Sequence, residues 1–271
     1  MVGGAGIWTP GATILGSASK TLNQLIKSLF ANNEQGFAYD PNDLTTMFQD
    51  AAGTIPVTGA GQPVGLIKDK SGRGNHAVQT VSASRPILQR NATTGAYYLA
   101  FDGADDFFVT NSIDFTATDE LNLFAGLRRT NPVAIGMVLE LSTNTGGFYL
   151  STPDTTVNLN SIAFVSRGTA LSRASIFDYV EPSVVVSAQA KISTTTNTVW
   201  LNGVHRASNI VDQGTGNYGN YPLYIGRRNG AQFPFNGHIY SLIGIGRLTT
   251  DDETTALEKE LAKRTGVTLS V

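Results

Sequence analysis

The chain has 271 residues, no cysteine, a formal net charge of −2 and charged side chains at only 15% of positions. These totals exclude a disulfide framework and thiolate metal sites, and with no basic run they exclude nucleic-acid binding through phosphate neutralisation. An apolar share of 41% supports a sizeable core, while the low charge leaves a surface of Ser, Thr, Asn, Gln and Gly that suits packing against protein or sugar.

The first stretch, "MVGGAGIWTPGATILGSAS", is Gly-rich and irregular around Trp8 and Pro10. It lacks the basic start and continuous apolar run of a signal peptide. No run of 18 apolar residues occurs anywhere, so no membrane-spanning helix is expected and the protein reads as soluble and made in a cytoplasm. A short helix is predicted next in "SKTLNQLIKSLFANN". Leu22, Leu25, Ile26, Leu29 and Phe30 fall at the i, i+3, i+4, i+7, i+8 spacing of one apolar face, with Ser19 or Thr21 as N-cap and Asn32-Asn33 as the stop. So short a helix must dock its apolar face. This domain, a sister subunit and another protein are the three options.

From about residue 37 the pattern is β. Short apolar or alternating runs such as "YYLAF", "LNLFAGL", "GFYLS", "SIAFVS", "SVVVSAQ" and "HIYSLIGIG" are separated by turns rich in Gly, Asn, Asp, Pro and Thr. Many short strands at this spacing predict a mainly β, two-sheet antiparallel sandwich or jelly roll. Asn202-Gly203 predicts a tight hairpin. The last element, "TTDDETTALEKELAKRTGV", is a helix. Thr249 or Thr250 is its N-cap, Asp251 to Glu253 its acidic first turn, Lys263 and Arg264 its basic last turn and Gly266 its C-terminal cap, and it is expected to lie outside a sheet.

Several of these pieces occur in a recognisable order: "AYDPNDL…LIKDKSGRGNHAVQ" (38–79), "YYLAFDGADDFFVT" (97–110), "VWLNGV" (199–204) and "LYIGRR…GRLTTDDETTALEKELAKRTGV" (223–267). Over about residues 38–267 the set resembles the concanavalin A-like lectin/glucanase (laminin-G-like) domains of bacteriophage virion proteins. The resemblance implies a jelly roll at 37–271, on a tail fibre, head fibre or decoration protein made in the host cytoplasm and located in the virion. Residues 1–36 lie outside it and are expected to form an anchoring arm. Trp8, Leu22, Leu25, Ile26, Leu29 and Phe30 would then meet capsid, portal or tail proteins, in a homo-oligomer such as a trimer.

Three places are candidates for chemistry. In "LIKDKSGRGNHAVQ", Asp69 and Asn75 read either as turn residues or as ligands to Ca²⁺ or a sugar hydroxyl. Ca²⁺ takes six to eight oxygens, so a second loop would have to contribute, and Asp105 and Asp106 of "FDGADDFF" are the candidates. For host-surface glycan, Tyr218 and Tyr221 are expected as exposed loop rings beside Arg227, Arg228 and Asn229, with alternation burying Tyr224. Catalysis is disfavoured. Glu140 is the only glutamate well inside a strand and has no carboxylate two or four positions away, and the three histidines are isolated. A non-enzymatic virion protein is therefore the expected function. A free carbohydrate-binding module and a polysaccharide hydrolase or lyase are the alternatives.

Overall fold

The computed structural model describes residues 20–130, 133–141 and 147–270. The expected anchor residue Trp8 lies outside them. Helix α1 (Leu22–Leu29) comes first, followed by β1 (Gly36–Tyr39), β2 (Met47–Phe48), β3 (Leu66–Ile67), β4 (Ala77–Val78), β5 (Ile87–Arg90) and β6 (Tyr97–Asp102). The middle of the chain supplies β7 (Phe108–Phe115), β8 (Glu120–Arg129), β9 (Met137–Leu141), β10 (Gly147–Ser151), β11 (Ile162–Arg167) and β12 (Leu171–Ile176). The last strands are β13 (Ser183–Lys191), β14 (Thr196–Leu201), β15 (Val204–Asn209), β16 (Gly219–Ile225) and β17 (Asn236–Ile245), and α2 (Asp251–Thr265) closes the fold.

The strands form two antiparallel sheets. One has the order β15-β14-β13-β8-β17-β6-β5, with β1 also paired to β17; the other runs β12-β11-β10-β9-β16-β7-β4-β3-β2. Side chains alternate across each strand. Leu121, Leu123, Ala125 and Leu127 of β8 therefore face Leu139, Leu141, Phe148, Leu150, Leu223 and Ile225 of the other sheet in a continuous dry core. Asn202 (φ 55°) and Gly203 (φ 82°) make the expected two-residue hairpin turn between β14 and β15.

A second core lies on the outside of the eight-stranded sheet. Phe124, Val185, Ile243 and Ile245 face outward there and are covered by Leu257 and Leu261 of α2 and by Leu22, Leu25, Ile26, Leu29 and Phe30 from α1. Both helices carry complete capping boxes, Thr21 with Gln24 and Thr250 with Glu253, and α2 ends on Gly266 at φ 77°. Gly126 lets α2 sit close, since a Cβ there would lie 3.1 Å from Thr265 Cγ2. Arg247 joins the helices: its Nη2 is 2.7 Å from Glu253 Oε1 and donates to the Leu29 carbonyl at 3.3 Å, and its Nε is 3.3 Å from Glu34 Oε1.

This packing corrects the expected use of α1. Leu22, Leu25, Ile26, Leu29 and Phe30 are 1%, 7%, 1%, 1% and 5% exposed, so the apolar face read as a virion anchor is already occupied by its own domain. The periodicity identified the face correctly and left its partner open. The partner turned out to be α2, within the second core that Phe124, Val185 and Ile243 also line.

Candidate functional site

The "LIKDKSGRGNHAVQ" segment folds as a clasp on β1. Asp69 is 8% exposed, and its carboxylate accepts from Ala38 N (2.9 Å), Ser71 N (2.9 Å), Ser71 Oγ (2.6 Å) and Asn75 N (3.0 Å). The Asn75 amide donates to Gly36 O at 2.7 Å and Gln35 Oε1 at 3.1 Å, while Tyr39 Oη donates to Asn75 O. His76 Nδ1 accepts from Asp69 N. Beside them, buried Asp40 sits 3.3 Å from Arg264 and 3.8 Å from Lys70, and Lys70 also reaches Asp43 at 2.6 Å. Asp69 and Asn75 are thus corrected as metal ligands, because protein donors and acceptors already occupy them. The early motifs and the end of α2 meet in this network because it pins β1 and α2 to the sheet.

The expected convergence of the two loops does not occur. Asp105 and Asp106 instead join Asp102, with one carboxylate oxygen from each lying within 4.8 Å of the others. Each carboxylate also accepts a hydrogen bond from the protein. Asp102 Oδ1 accepts from Ala104 N, Asp106 Oδ2 accepts from Asp102 N, and Asp105 Oδ2 accepts from Ser84 Oγ at 2.6 Å. Burial, and then the charges of Asp102 and Asp105, push the Asp106 carboxyl up to about 6. Its folded value exceeds the unfolded one, so its contribution to stability is complete below about pH 4 and is lost as pH rises to about 6. Asp106→Asn keeps the bond from Asp102 N and removes the charge. It is expected to melt higher than the parent at pH 8 and equally at pH 4. A parent melting temperature at pH 8 that matches or exceeds the variant's would refute the assignment; if EDTA lowered it in the parent alone, a bound cation would be the neutralising group.

The predicted glycan residues divide in two. Tyr218 is 1% exposed, its ring meets Phe148 edge-on at 5.5 Å, and its hydroxyl lies 2.9 Å from Ser166 Oγ. Tyr221 packs on the central core. Both are corrected as exposed stacking rings, and Tyr224 is corrected as a buried one. Leu223 and Ile225 must face the core, so strand parity turns Tyr221 inward and Tyr224 out. Arg227, Arg228 and Asn229 lie on the loop after β16. Asn229 (φ 48°) and Gly230 (φ 62°) form its tip, and Arg227 Nη2 donates across it to Ala231 O at 3.0 Å.

Arg228 leads to the site that the chain does assemble. On the outer face of the nine-stranded sheet, Arg173, Val165, Tyr149, Glu140 and Tyr224 stand in one cross-strand row, paired in that order from β12 through β11, β10 and β9 to β16. Arg228 Nε donates to Glu140 Oε2 at 3.0 Å, and its guanidinium lies 4.9 Å from the Tyr149 ring centre and 5.1 Å from that of Phe233. Arg173 Nη2 donates to Tyr149 Oη at 2.8 Å, while its Nη1 lies 2.8 Å from Asp154 Oδ2. The Glu140 and Asp154 side chains are each 3% exposed, so both carboxylates are spent on neutralising an arginine. Burial still pushes Glu140 up, against the pull of Arg228. The result is a rigid, charge-balanced platform. Tyr149, Tyr224 and Phe233 are half-buried rings, and the arginines keep spare N–H donors.

Tyr149, Arg173 and Asp154 were missed in the sequence, though a signal was present. "Leu-Glu-Leu", "Phe-Tyr-Leu", "Ser-Arg-Ala" and "Leu-Tyr-Ile" each place a polar or aromatic residue between two inward ones, and aligning those centres gives the row.

The sequence matches no family model and no curated protein. Solved structures do match. A binding domain of botulinum neurotoxin DC, in complex with rat synaptotagmin II, aligns with a TM-score of 0.57 and 10% identity over 85% of this chain and 52% of that one. A botulinum neurotoxin type C structure, whose cell entry depends on two ganglioside molecules, aligns with a TM-score of 0.56 and 10% identity over 85% and 52%. A further receptor-binding domain gives a TM-score of 0.58 and 10% identity over 88% and 53%. The likeness is one of fold, and the chain spans about half the length of these structures.

Proposed function

We propose that the chain is a non-enzymatic glycan-recognition domain carried on a phage particle, with the outer face of the nine-stranded sheet as its binding surface. The observation that carries the reading is the row Arg173–Tyr149–Glu140–Tyr224 with Arg228 stacked across it. Half-buried rings stack on sugar C–H faces, and fixed guanidinium donors meet hydroxyls. Balanced charge favours hydroxyls over phosphate or carboxylate. Neither carboxylate on the face stands free to act as acid or nucleophile, which supports binding over hydrolysis. The neurotoxin domains of like fold include one whose cell entry depends on gangliosides, which supports a receptor-binding role for such a sandwich.

The phage setting rests on the ordered motifs of residues 38–267 and on the cysteine-free, charge-poor composition. Other virion proteins and further copies of the chain remain its proposed partners, but the apolar face of α1 is not their contact. On a glycan array the full chain is expected to bind a defined set of host-surface sugars. Tyr224→Ala is expected to weaken that binding about tenfold with an unchanged melting temperature, and Arg228→Ala to abolish it at some cost in stability, since Glu140 is left buried and unpaired. Binding unaffected by Tyr224→Ala and Arg228→Ala, or an array without signal, would overturn the reading.

A further inference from the structure

The outer face of the eight-stranded sheet carries a second feature. Helix α2 covers Phe124 and Val185 but stops short of β14, leaving a cleft of about 200 Å³ between the helix and the sheet, with Trp200 on its far side. Strand register fixes its floor: Phe124, Ser187 and Trp200 form one cross-strand row and Asn122, Gln189 and Thr198 the next. Thr254 and Glu258, one helical turn apart, form the α2 wall.

The polar groups of this cleft are only half used. Glu258 Oε1 accepts from Ser187 Oγ at 2.5 Å, and Asn122 Oδ1 accepts from Thr249 N at 3.2 Å, which fixes both side chains. Glu258 and Asn122 are only 4% and 2% exposed. Yet the second Glu258 oxygen, the Asn122 amide N–H groups, the whole Gln189 amide and the Trp200 indole N–H have no side-chain hydrogen bond among the described residues. None of these atoms is sealed from solvent without a partner, so they stand open to the cleft and free to bond a ligand that enters it. A cation would meet the Asn122 donors, and an anion would meet Glu258 and Asp251. A sugar hydroxyl donates and accepts at once, so it matches an amide and a carboxyl side by side, and Trp200 supplies the flat apolar surface for a ring.

We propose that this cleft binds one residue of a neutral sugar, a subsite separate from the row on the other sheet. Only its ligand class is shared with the function proposed above. The protein has two tryptophans, Trp8 and Trp200, so Trp8→Phe makes Trp200 the sole indole reporter. This variant is titrated separately with cellobiose, maltose, lactose and chitobiose, following Trp200 emission. A saturable change with at least one disaccharide is expected, weakened about tenfold by adding Gln189→Ala, a partly exposed position that leaves the core intact. No saturable change up to about 50 mM, a response to choline alone, or a response indifferent to Gln189→Ala would overturn the proposal. A silent Trp200 beside a positive array for the parent chain removes the cleft alone. A responsive Trp200 beside array binding that ignores Tyr224→Ala and Arg228→Ala removes the other face alone.

Discussion

A chain that begins at Phe37 is expected to fail to fold, whereas one that begins at Lys20 keeps every contact described above. The shorter chain loses the five apolar side chains of the α1 region from the second core, the Gly36–Ile245 pairing of β1 with β17, and the Glu34 and Leu29 oxygens that hold Arg247. Burying each large aliphatic or aromatic side chain is worth about 2 kcal/mol, so the five together are worth about 10 kcal/mol. Whole domains are stable by only about 5–15 kcal/mol. The loss also acts on what remains, because Leu257 and the adjoining α2 side of the second core lose their cover and become an open apolar patch. Circular dichroism melts and dye binding to exposed apolar surface distinguish the outcomes. A Phe37 chain with a cooperative transition near that of the Lys20 chain would restore residues 1–36 as a separable arm. Ile26→Ala gives a milder test, with an expected cost of about 3 kcal/mol in urea unfolding.

The same helix shows where sequence reading stops. Local chemistry specified it completely: Thr21 and Gln24 cap it, and the apolar spacing names the buried face. Apart from nearby Ala38, nothing local specified what covers that face, because the rest of its cluster lies on β8, β13, β17 and α2, about 95 to 240 positions away. The hairpin at Asn202-Gly203 and the caps of α2 were legible for the same reason that α1 was, since each is settled within a few residues.

The candidate sites depended on long-range information throughout. Parity on β16 followed from Leu223 and Ile225, and reading the tyrosines as loop residues placed Tyr218, Tyr221 and Tyr224 each on the wrong side. The row Arg173–Tyr149–Glu140–Tyr224 needs the order of five strands, and β16 enters between β9 and β7 from far along the chain. No motif encodes that insertion. Glu140 was visible as an isolated strand carboxylate, but its arginine partner comes from a loop 88 positions away.

Asp69→Ala is expected to cost about 4 kcal/mol and to leave any response to calcium unchanged. The carboxylate is the common acceptor for the Ala38, Ser71 and Asn75 backbone N–H groups and for the Ser71 hydroxyl. A buried donor left without an acceptor costs about 1–3 kcal/mol, and partial relaxation or water entry at this 8% exposed site brings the sum toward the lower end. Asp69→Asn separates charge from geometry. Its single carbonyl oxygen can keep the Ala38 and Ser71 N–H bonds, but its NH₂ then faces the Asn75 N–H, donor against donor. A cost near half that of the alanine variant is therefore expected. Urea unfolding of the three proteins, with and without calcium, measures both. If Asp69→Ala kept the parent's stability in EDTA and lost only a calcium-dependent increment, Asp69 would be a metal ligand after all. A large cost in EDTA makes it the tie that fixes β1 to the loop. That tie accounts for the glycines, serine, asparagine and histidine clustered within one short turn: Gly72 (φ 82°) and Gly74 (φ 77°) reverse the chain so that Ser71, Asn75 and His76 all return to Asp69.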